Sequence, residues 1–225
     1  RLAGNMRAQH LVSLAAAVAH LSISFLMFID AHQTTLPFLF STDALSKLFL
    51  LILSNVYFWI VLVSLSFLLV AAGLLMGFGK KYYVALLNFY LFANTAAILS
   101  NHFGMYWVAA EATTLSVAPL VYYYRTEEAL EAMWKYLFLV SVGIAFAFIG
   151  ILFLALSANG SPLEGGQLFF TDFVRGASKL SPVWLKASFI FIFVGLSTKI
   201  WIAPMHSGDI DATSNAPSPV AALMS

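Results

Sequence analysis

Apolar residues run along this chain in long blocks with short polar breaks between them. A helix needs about 20 consecutive apolar residues to cross a bilayer, and several blocks reach that length. None shows the period-two alternation of a membrane β-barrel. The pattern predicts an all-α protein, a polytopic transmembrane helix bundle. The first span runs from about His10 to Ile29, and the link from Asp30 to Asp43 carries Pro37 and polar residues. The block from Leu45 to Phe78 is too long for one upright span and predicts a helix that tilts or projects from the membrane. Gly77, Gly79, Lys80 and Lys81 end it.

Tyr82 to Leu99 is the third span, and Ser100 to His102 turns tightly into the fourth, Phe103 to Tyr124. Arg125 and Thr126 make the next turn. Thr126 can cap a fifth helix whose first turn carries Glu127 and Glu128, favourable beside the positive end of its dipole; it reaches about Leu156. Asn159 to Pro182 is a connection with room for a short interfacial helix at Leu168 to Phe173. The sixth span begins near Trp184 and runs through Lys199 to Pro204, and the turn Ala216-Pro217-Ser218-Pro219 precedes the start of a seventh. Residues 1–225 thus read as a single transmembrane domain. The chain begins without methionine and stops as an apolar segment starts, so it reads as a fragment of a longer polypeptide.

Composition sharpens the class. The chain is 61% hydrophobic and only 9% charged, with a mean hydropathy of +0.90, against about 25% charged residues in a soluble domain. The net charge of +1 gives no sign of nucleic-acid binding, and the absence of cysteine excludes disulfides, thiolate catalysis and Cys-based metal sites. If alternate spans start from one face, Arg1, Arg7, Lys80, Lys81 and Arg125 gather there, which predicts that this face is cytoplasmic and places the protein in a cell (inner) membrane as a multi-pass component.

Charge at bilayer depth is the candidate chemistry. Glu111 lies eight residues into the fourth span, about 12 Å from the turn at ~1.5 Å per residue. A charged side chain there costs about 2.5–3.5 kcal/mol on insertion scales and usually faces a polar pathway. Thr113, Thr114 and Ser116 offer it hydroxyl partners. Such an acid suits a proton relay, because burial and a nearby ammonium push its protonation in opposite directions; a static Glu-Lys pair that fixes helix packing is the alternative. Lys135 lies nine residues beyond Thr126, with Glu131 four residues before it. It reads either as half of an ion pair on one helix face or as a deep proton carrier. Lys199 is more specific, because Pro204 has no N–H for the carbonyl of Ile200 and so kinks or breaks the helix beside the lysine. Broken helices at membrane depth line polar cavities and ion sites.

His206, Asp209 and Asp211 follow the break and read as a solvated or interfacial loop more readily than as a metal site. His10, His20, His32 and His102 are scattered; His20, inside the first span, is either a relay or a hydrogen-bonded packing residue. No phosphate loop, nucleophile elbow or dinucleotide fingerprint occurs, and neither a metal nor a cofactor is expected.

Four segments together resemble a known family: Trp107-Val-Ala-Ala-Glu111-Ala-Thr-Thr-Leu115, Ala129-Leu-Glu-Ala-Met-Trp-Lys135-Tyr136, Gly195-Leu-Ser-Thr-Lys199 with Ala203-Pro-Met-His206, and Ala216-Pro-Ser-Pro-Val-Ala-Ala-Leu223. Their order and spacing resemble the antiporter-like, proton-translocating membrane subunits of respiratory complex I, Mrp-type cation/proton antiporters and membrane-bound hydrogenases. Their wording is most similar to the hydrogenase-4 and formate hydrogenlyase type. The resemblance implies a bundle of about fourteen helices in two inverted repeats, each with a broken helix, of which this chain holds most of the first. It implies that Glu111, Lys199 and Lys135 translocate protons, with Lys199 pairing to Glu111, and that Pro204, His206 and Asp211 serve relay or gating. It also implies partners: further membrane subunits, a peripheral redox module and the lipid bilayer. One segment departs. Where the family usually has His-Thr-Trp-Leu-Pro-Asp-Ala-His, the chain has His206-Ser-Gly-Asp-Ile-Asp-Ala-Thr213, keeping His206 and Asp211. A cation/proton antiporter subunit and a non-conducting scaffold are the competing readings.

Overall fold

The structure, a computed structural model, describes residues 2–30, 35–36, 39–71, 80–159, 168–202 and 206–224. The helices are α1 (Leu2–Ile29), α2 (Ala44–Ala71), α3 (Lys80–Leu99), α4 (Phe103–Val121), α5 (Glu127–Ser157), α6 (Phe170–Gly176), α7 (Pro182–Ser197), α8 (Ser207–Asn215) and α9 (Ser218–Met224), with short 3-10 turns at Tyr122–Tyr124 and Ala177–Lys179. The link after α1 holds a small antiparallel pair, β1 (Thr35–Leu36) and β2 (Phe40–Ser41). Pro37, His32, Gly77, Gly79 and Pro204 lie outside the described residues.

The helices follow the hydropathy blocks because lipid leaves backbone N–H and C=O groups no partner but each other. Thr126 caps α5 as its sequence suggests, its hydroxyl accepting from the Ala129 N–H at 3.1 Å. The interfacial helix lies at Phe170–Gly176, two residues later than its apolar block. Lys80 opens α3 rather than ending the helix before it. The sequence predicts six complete spans; among the described residues, four helices are long and apolar enough to cross a membrane. Glu111 and its neighbouring hydroxyls lower the hydropathy of α4, and α7 is cut to 16 residues by an early end. Large side chains such as Phe92, Phe138 and Phe189 face outward along the bundle, as a lipid surround requires.

The core runs between α2, α3, α4 and α5 and includes Tyr57, Leu87, Val117, Val121, Val140 and Ile144. The tightest seam joins α5 to α7. Gly143, Ala147 and Gly150 form a small-residue stripe on α5, as close helix packing in membranes favours. A Cβ on Gly195 of α7 would lie 2.5 Å from both the Ala147 nitrogen and the Gly143 oxygen. This seam fixes where α7 stops relative to α4 and α5, and so where Lys199 sits.

At the start of α2, the Ser46 N–H donates to the Asp43 carboxylate at 2.6 Å and the Asp43 N–H donates to the Ser46 hydroxyl at 2.8 Å. This reciprocal cap holds the Asp43 carboxyl below the usual carboxylate range. A group with a depressed pKa stabilises the fold above its unfolded pKa and loses that contribution as pH falls through the folded value. Asp43→Ala is expected to cost on the order of 1 kcal/mol at neutral pH, and less in acid, in a thermal melt of the detergent-solubilised protein. Equal melting of variant and parent at neutral pH would show that the cap contributes nothing.

Candidate functional site

Three ionisable side chains singled out by sequence lie around one junction, where α7 ends against α4 and α5. The α7 helix stops at Ser197, two residues before Lys199, so the lysine lies in a turn and not inside the span. Pro204 had suggested a break after the lysine; the helix ends earlier. The turn contains Trp201, whose φ of 54° places a bulky residue in the left-handed region, a conformation that persists only where its surroundings enforce it. The Trp201 ring lies on Tyr136, with centroids 5.9 Å apart.

Lys199 reaches across to α4, where its Nζ donates to the Thr113 hydroxyl at 2.5 Å and to the Thr114 hydroxyl at 2.7 Å. Both threonines are buried. Each hydroxyl also finds the Ala110 carbonyl on its own helix, at 2.7 Å from Thr113 and 3.5 Å from Thr114. Glu111 accepts a hydrogen bond from Ser141 of α5 at 2.7 Å through Oε1, while its buried Oε2 has no hydrogen-bond partner among the described residues. Among the described residues no ion pair joins Glu111 to Lys199, although the two charges interact through space. The direct pairing expected from sequence is thus replaced by two separate polar cradles.

Lys135 follows the ion-pair reading. Its Nζ lies 2.8 Å from Glu131 and 3.0 Å from Asp211, tying α5 to α8. Its side chain is 52% exposed in this chain, and with Thr198 and Asp211 it lines a cavity of ≈ 550 Å³ beside the end of α7. His206 is exposed, and its side chain makes no cap to α8. His20 is a hydrogen-bonded packing residue: Nδ1 meets the Ser54 hydroxyl at 2.7 Å and Nε2 the Thr95 hydroxyl at 2.9 Å, joining α1, α2 and α3. His102 caps α4, its Nδ1 accepting from the backbone N–H groups of Gly104 and Met105. No cluster of His, Cys, Asp or Glu able to hold a metal occurs among the described residues.

A cavity of ≈ 270 Å³ opens beside Lys199, and Tyr90, Asn94, Tyr106, Thr113 and Tyr136 supply its polar lining. It has room for several waters at about 30 Å³ each. Tyr106 also lines a wider cavity of ≈ 860 Å³ with Asp43, Asn101, Thr171 and Arg175 near the opposite ends of α2, α3 and α4. Sequence reasoning missed Ser141, Tyr90, Asn94 and Tyr106. Ser141 had a weak signal, a lone hydroxyl in an apolar helix; nothing local marks the others.

Residues 100–225 match the family described as NADH:quinone oxidoreductase/Mrp antiporter, TM. The chain belongs to this family. Over 189 residues, 83% of this chain and 40% of the relative, it is 33% identical to the hydrogenase-4 component F homolog of Methylacidiphilum infernorum. NADH-quinone oxidoreductase subunit N 1 of Opitutus terrae is 30% identical over 139 residues, 58% of this chain and 28% of its own. The fold is shared with a chain of respiratory complex I from Thermus thermophilus (TM-score 0.76, 20% identity, 97% of this chain and 47% of that one). A chain of the Mrp complex from a Dietzia species matches equally well (TM-score 0.76, 17% identity, 99% of this chain and 41% of that one). This antiporter-family chain spans less than half the length of these relatives. It is a multi-pass membrane protein of the antiporter-like fold, as the sequence resemblance implied.

Within the family pattern, the departure at residues 206–213 has a packing counterpart. A Cβ on Gly208 would meet the Trp201 ring at 3.2 Å and Leu139 Cδ1 at 3.6 Å. The indole of Trp201, sent inward by its left-handed backbone, covers the face that Gly208 leaves bare.

Proposed function

We propose that this antiporter-family chain forms part of a proton-translocating subunit in a multisubunit, redox-driven membrane complex, with Lys199 and Glu111 as its proton-exchanging pair. The carrying observation is the placement of the Lys199 amine. It sits in a turn between two helices, on the hydroxyls of Thr113 and Thr114, beside a polar cavity and within electrostatic reach of a carboxylate that has a vacant oxygen. An ammonium in a low-dielectric region is stabilised by donating to hydroxyls or by meeting a carboxylate. A shift of the turn from the first arrangement to the second alters the balance between charged and neutral amine, and water in the cavity supplies or takes the proton. Such interrupted helices serve ion sites in other transporters.

The subunit has no redox centre of its own in this scheme, so partner membrane subunits and a peripheral redox module drive the shift. Lys135, Glu131 and Asp211 form a charge cluster on the outer side of α5 and α8, suited to carrying an electrostatic change toward this turn.

Glu111→Gln keeps the Ser141 hydrogen bond and removes the charge. In the assembled complex with the full-length subunit, it is expected to reduce proton translocation per electron by at least about tenfold, with assembly unchanged. Unaltered pumping would exclude Glu111 from the exchange. Repeating the assay without sodium separates proton translocation from cation/proton exchange, which alone would lose activity.

A further inference from the structure

Two polar cavities meet at one side chain. The chamber of ≈ 270 Å³ beside Lys199 has Asn94, Ala97, Tyr106 and Thr113 in its wall. The cavity of ≈ 860 Å³ at the starts of α2 and α4 has Asp43, Ala97, Ser100, Asn101, Tyr106 and Arg175 in its wall. Ala97 and Tyr106 are common to both. Alanine is too small to close an opening, so the Tyr106 side chain is the partition. Tyr106 and Thr113 lie seven residues apart on α4, about 10 Å at ~1.5 Å per residue, and Thr113 accepts from the Lys199 amine at 2.5 Å. One tyrosine ring therefore stands between the lysine's chamber and the larger cavity.

Backbone hydrogen bonds fix the rim of the larger cavity. The Asn101 N–H donates to the Leu39 carbonyl at 2.7 Å, and the Asn101 carbonyl accepts from the Phe170 N–H at 2.8 Å, tying the start of β2 and α6 to the turn between α3 and α4. The Asn101 amide also reaches the Thr171 hydroxyl at 3.4 Å. A space this polar and roomy holds water. It lies at the end of α4 remote from Arg125, because that helix starts there and finishes at Val121. A third cavity, of ≈ 260 Å³, touches Tyr106 as well, and its other walls include Phe103, Trp107, Ile144, Ile192 and Leu196. An apolar cavity of this kind stays dry, which leaves space beside the tyrosine ring. Phe170 borders this dry space and the larger cavity, and meets Tyr106 edge-on with centroids 6.3 Å apart.

We propose that the larger cavity is the water-filled route by which Lys199 exchanges protons with the membrane face opposite Arg125, and that the Tyr106 ring is its gate; this rests on Lys199 being a proton-exchanging group. A carrier open to both faces at once dissipates the gradient it builds, so each route needs a barrier. In the arrangement seen here the ring separates the two polar cavities. A turn of the ring to another staggered position, into the dry space, joins them. A proton then passes from water to water and ends on the neutral amine as ammonium, and the reverse path releases it. The phenol itself neither gains nor loses a proton. Phe170 ties the closed position to α6, so movement of that helix opens or shuts the route.

These residues include no cysteine, so single cysteines placed in the full-length subunit of the assembled complex report water access site by site. A charged, membrane-impermeant thiol reagent is applied to vesicles of each orientation, and labelling of the cysteine-bearing peptide is followed by mass spectrometry. Ser100→Cys, in the larger cavity, is expected to label from the face opposite Arg125. Asn94→Cys, in the chamber, is expected to label slowly from that face and at least about tenfold faster once Tyr106→Ala is added. Tyr106→Phe, which keeps the ring, retains the slow rate. Vesicles carrying Tyr106→Ala should also lose an imposed proton gradient faster than the parent, and Lys199→Met should remove that leak. The proposal is overturned if Ser100→Cys stays unlabelled, as in a lipid-filled cavity, or if Asn94→Cys labels equally fast with tyrosine and alanine at position 106. A leak that survives Lys199→Met bypasses the lysine and overturns it too. If Tyr106→Ala fails to assemble, Tyr106→Leu, which also lacks the ring, makes the same comparison. The underlying reading fails separately, through full pumping in Lys199→Arg; an inactive Lys199→Arg with ungated labelling rejects only the inference drawn here.

Discussion

Lys199→Met is expected to leave the complex assembled and to stop proton translocation, with a loss of about a hundredfold or more. Methionine approximates the length of the lysine and brings no charge. The hydroxyls it abandons keep partners, because Thr113 and Thr114 both have the Ala110 carbonyl within reach on their own helix. Removing the buried ammonium also removes the cost of holding it, so no large destabilisation accompanies the change. The sharper variant is Lys199→Arg. Arginine preserves the positive charge and the hydrogen bonds but stays protonated at any accessible pH. If Lys199 exchanges a proton, the arginine variant is as inactive as the methionine one; if it only holds the helices in place, arginine restores activity. Proton uptake into vesicles, normalised to the electron transfer of the complex, distinguishes the two. Full pumping in Lys199→Arg would remove the lysine from the relay.

Gly195→Ala is expected to be strongly destabilising, at about 3 kcal/mol, the upper end of the ordinary overpacking range. The added methyl would meet backbone on α5, the Ala147 nitrogen and the Gly143 oxygen, each 2.5 Å away. Backbone in a packed helix has no rotamer to adopt, so α5 and α7 must separate. Gly143→Ala makes a useful contrast. Its methyl would run into the Thr198 side chain, whose Oγ1 can turn aside at the cost of its hydrogen bond to the Gly195 carbonyl, while the Thr198 Cβ, 2.7 Å away, must give with its backbone. The predicted order of melting temperatures in detergent is parent, then Gly143→Ala, then Gly195→Ala. Equal melting of all three would mean that the seam is loose. Separation of α7 also moves the turn bearing Lys199, so lost pumping in Gly195→Ala reports position and not chemistry.

The α-helical membrane class, the chain order of the blocks and the Thr126 cap were legible in the sequence because each depends on neighbours along the chain. A long apolar run in lipid satisfies its backbone internally, whatever the rest of the protein does. The break near Lys199 was legible too, although Pro204 suggested a later place for it. The α7 helix ends at Ser197 under tertiary constraints: the Gly195 seam pins it to α5, and the turn then carries Trp201 into the left-handed region against Tyr136 and Gly208.

The same division applies to the charges. Their presence at Glu111, Lys135 and Lys199, and the expense of keeping them among apolar residues, follow from the sequence alone. Only the fold decided their partners. Lys199 finds hydroxyls 86 and 85 positions away, Glu111 a serine 30 positions away, and Lys135 an aspartate 76 positions away in preference to reaching inward. Helix periodicity governs contacts three and four residues apart. Contacts between helices depend on crossing and rotation, which steric details such as the absence of a Cβ at Gly195 set.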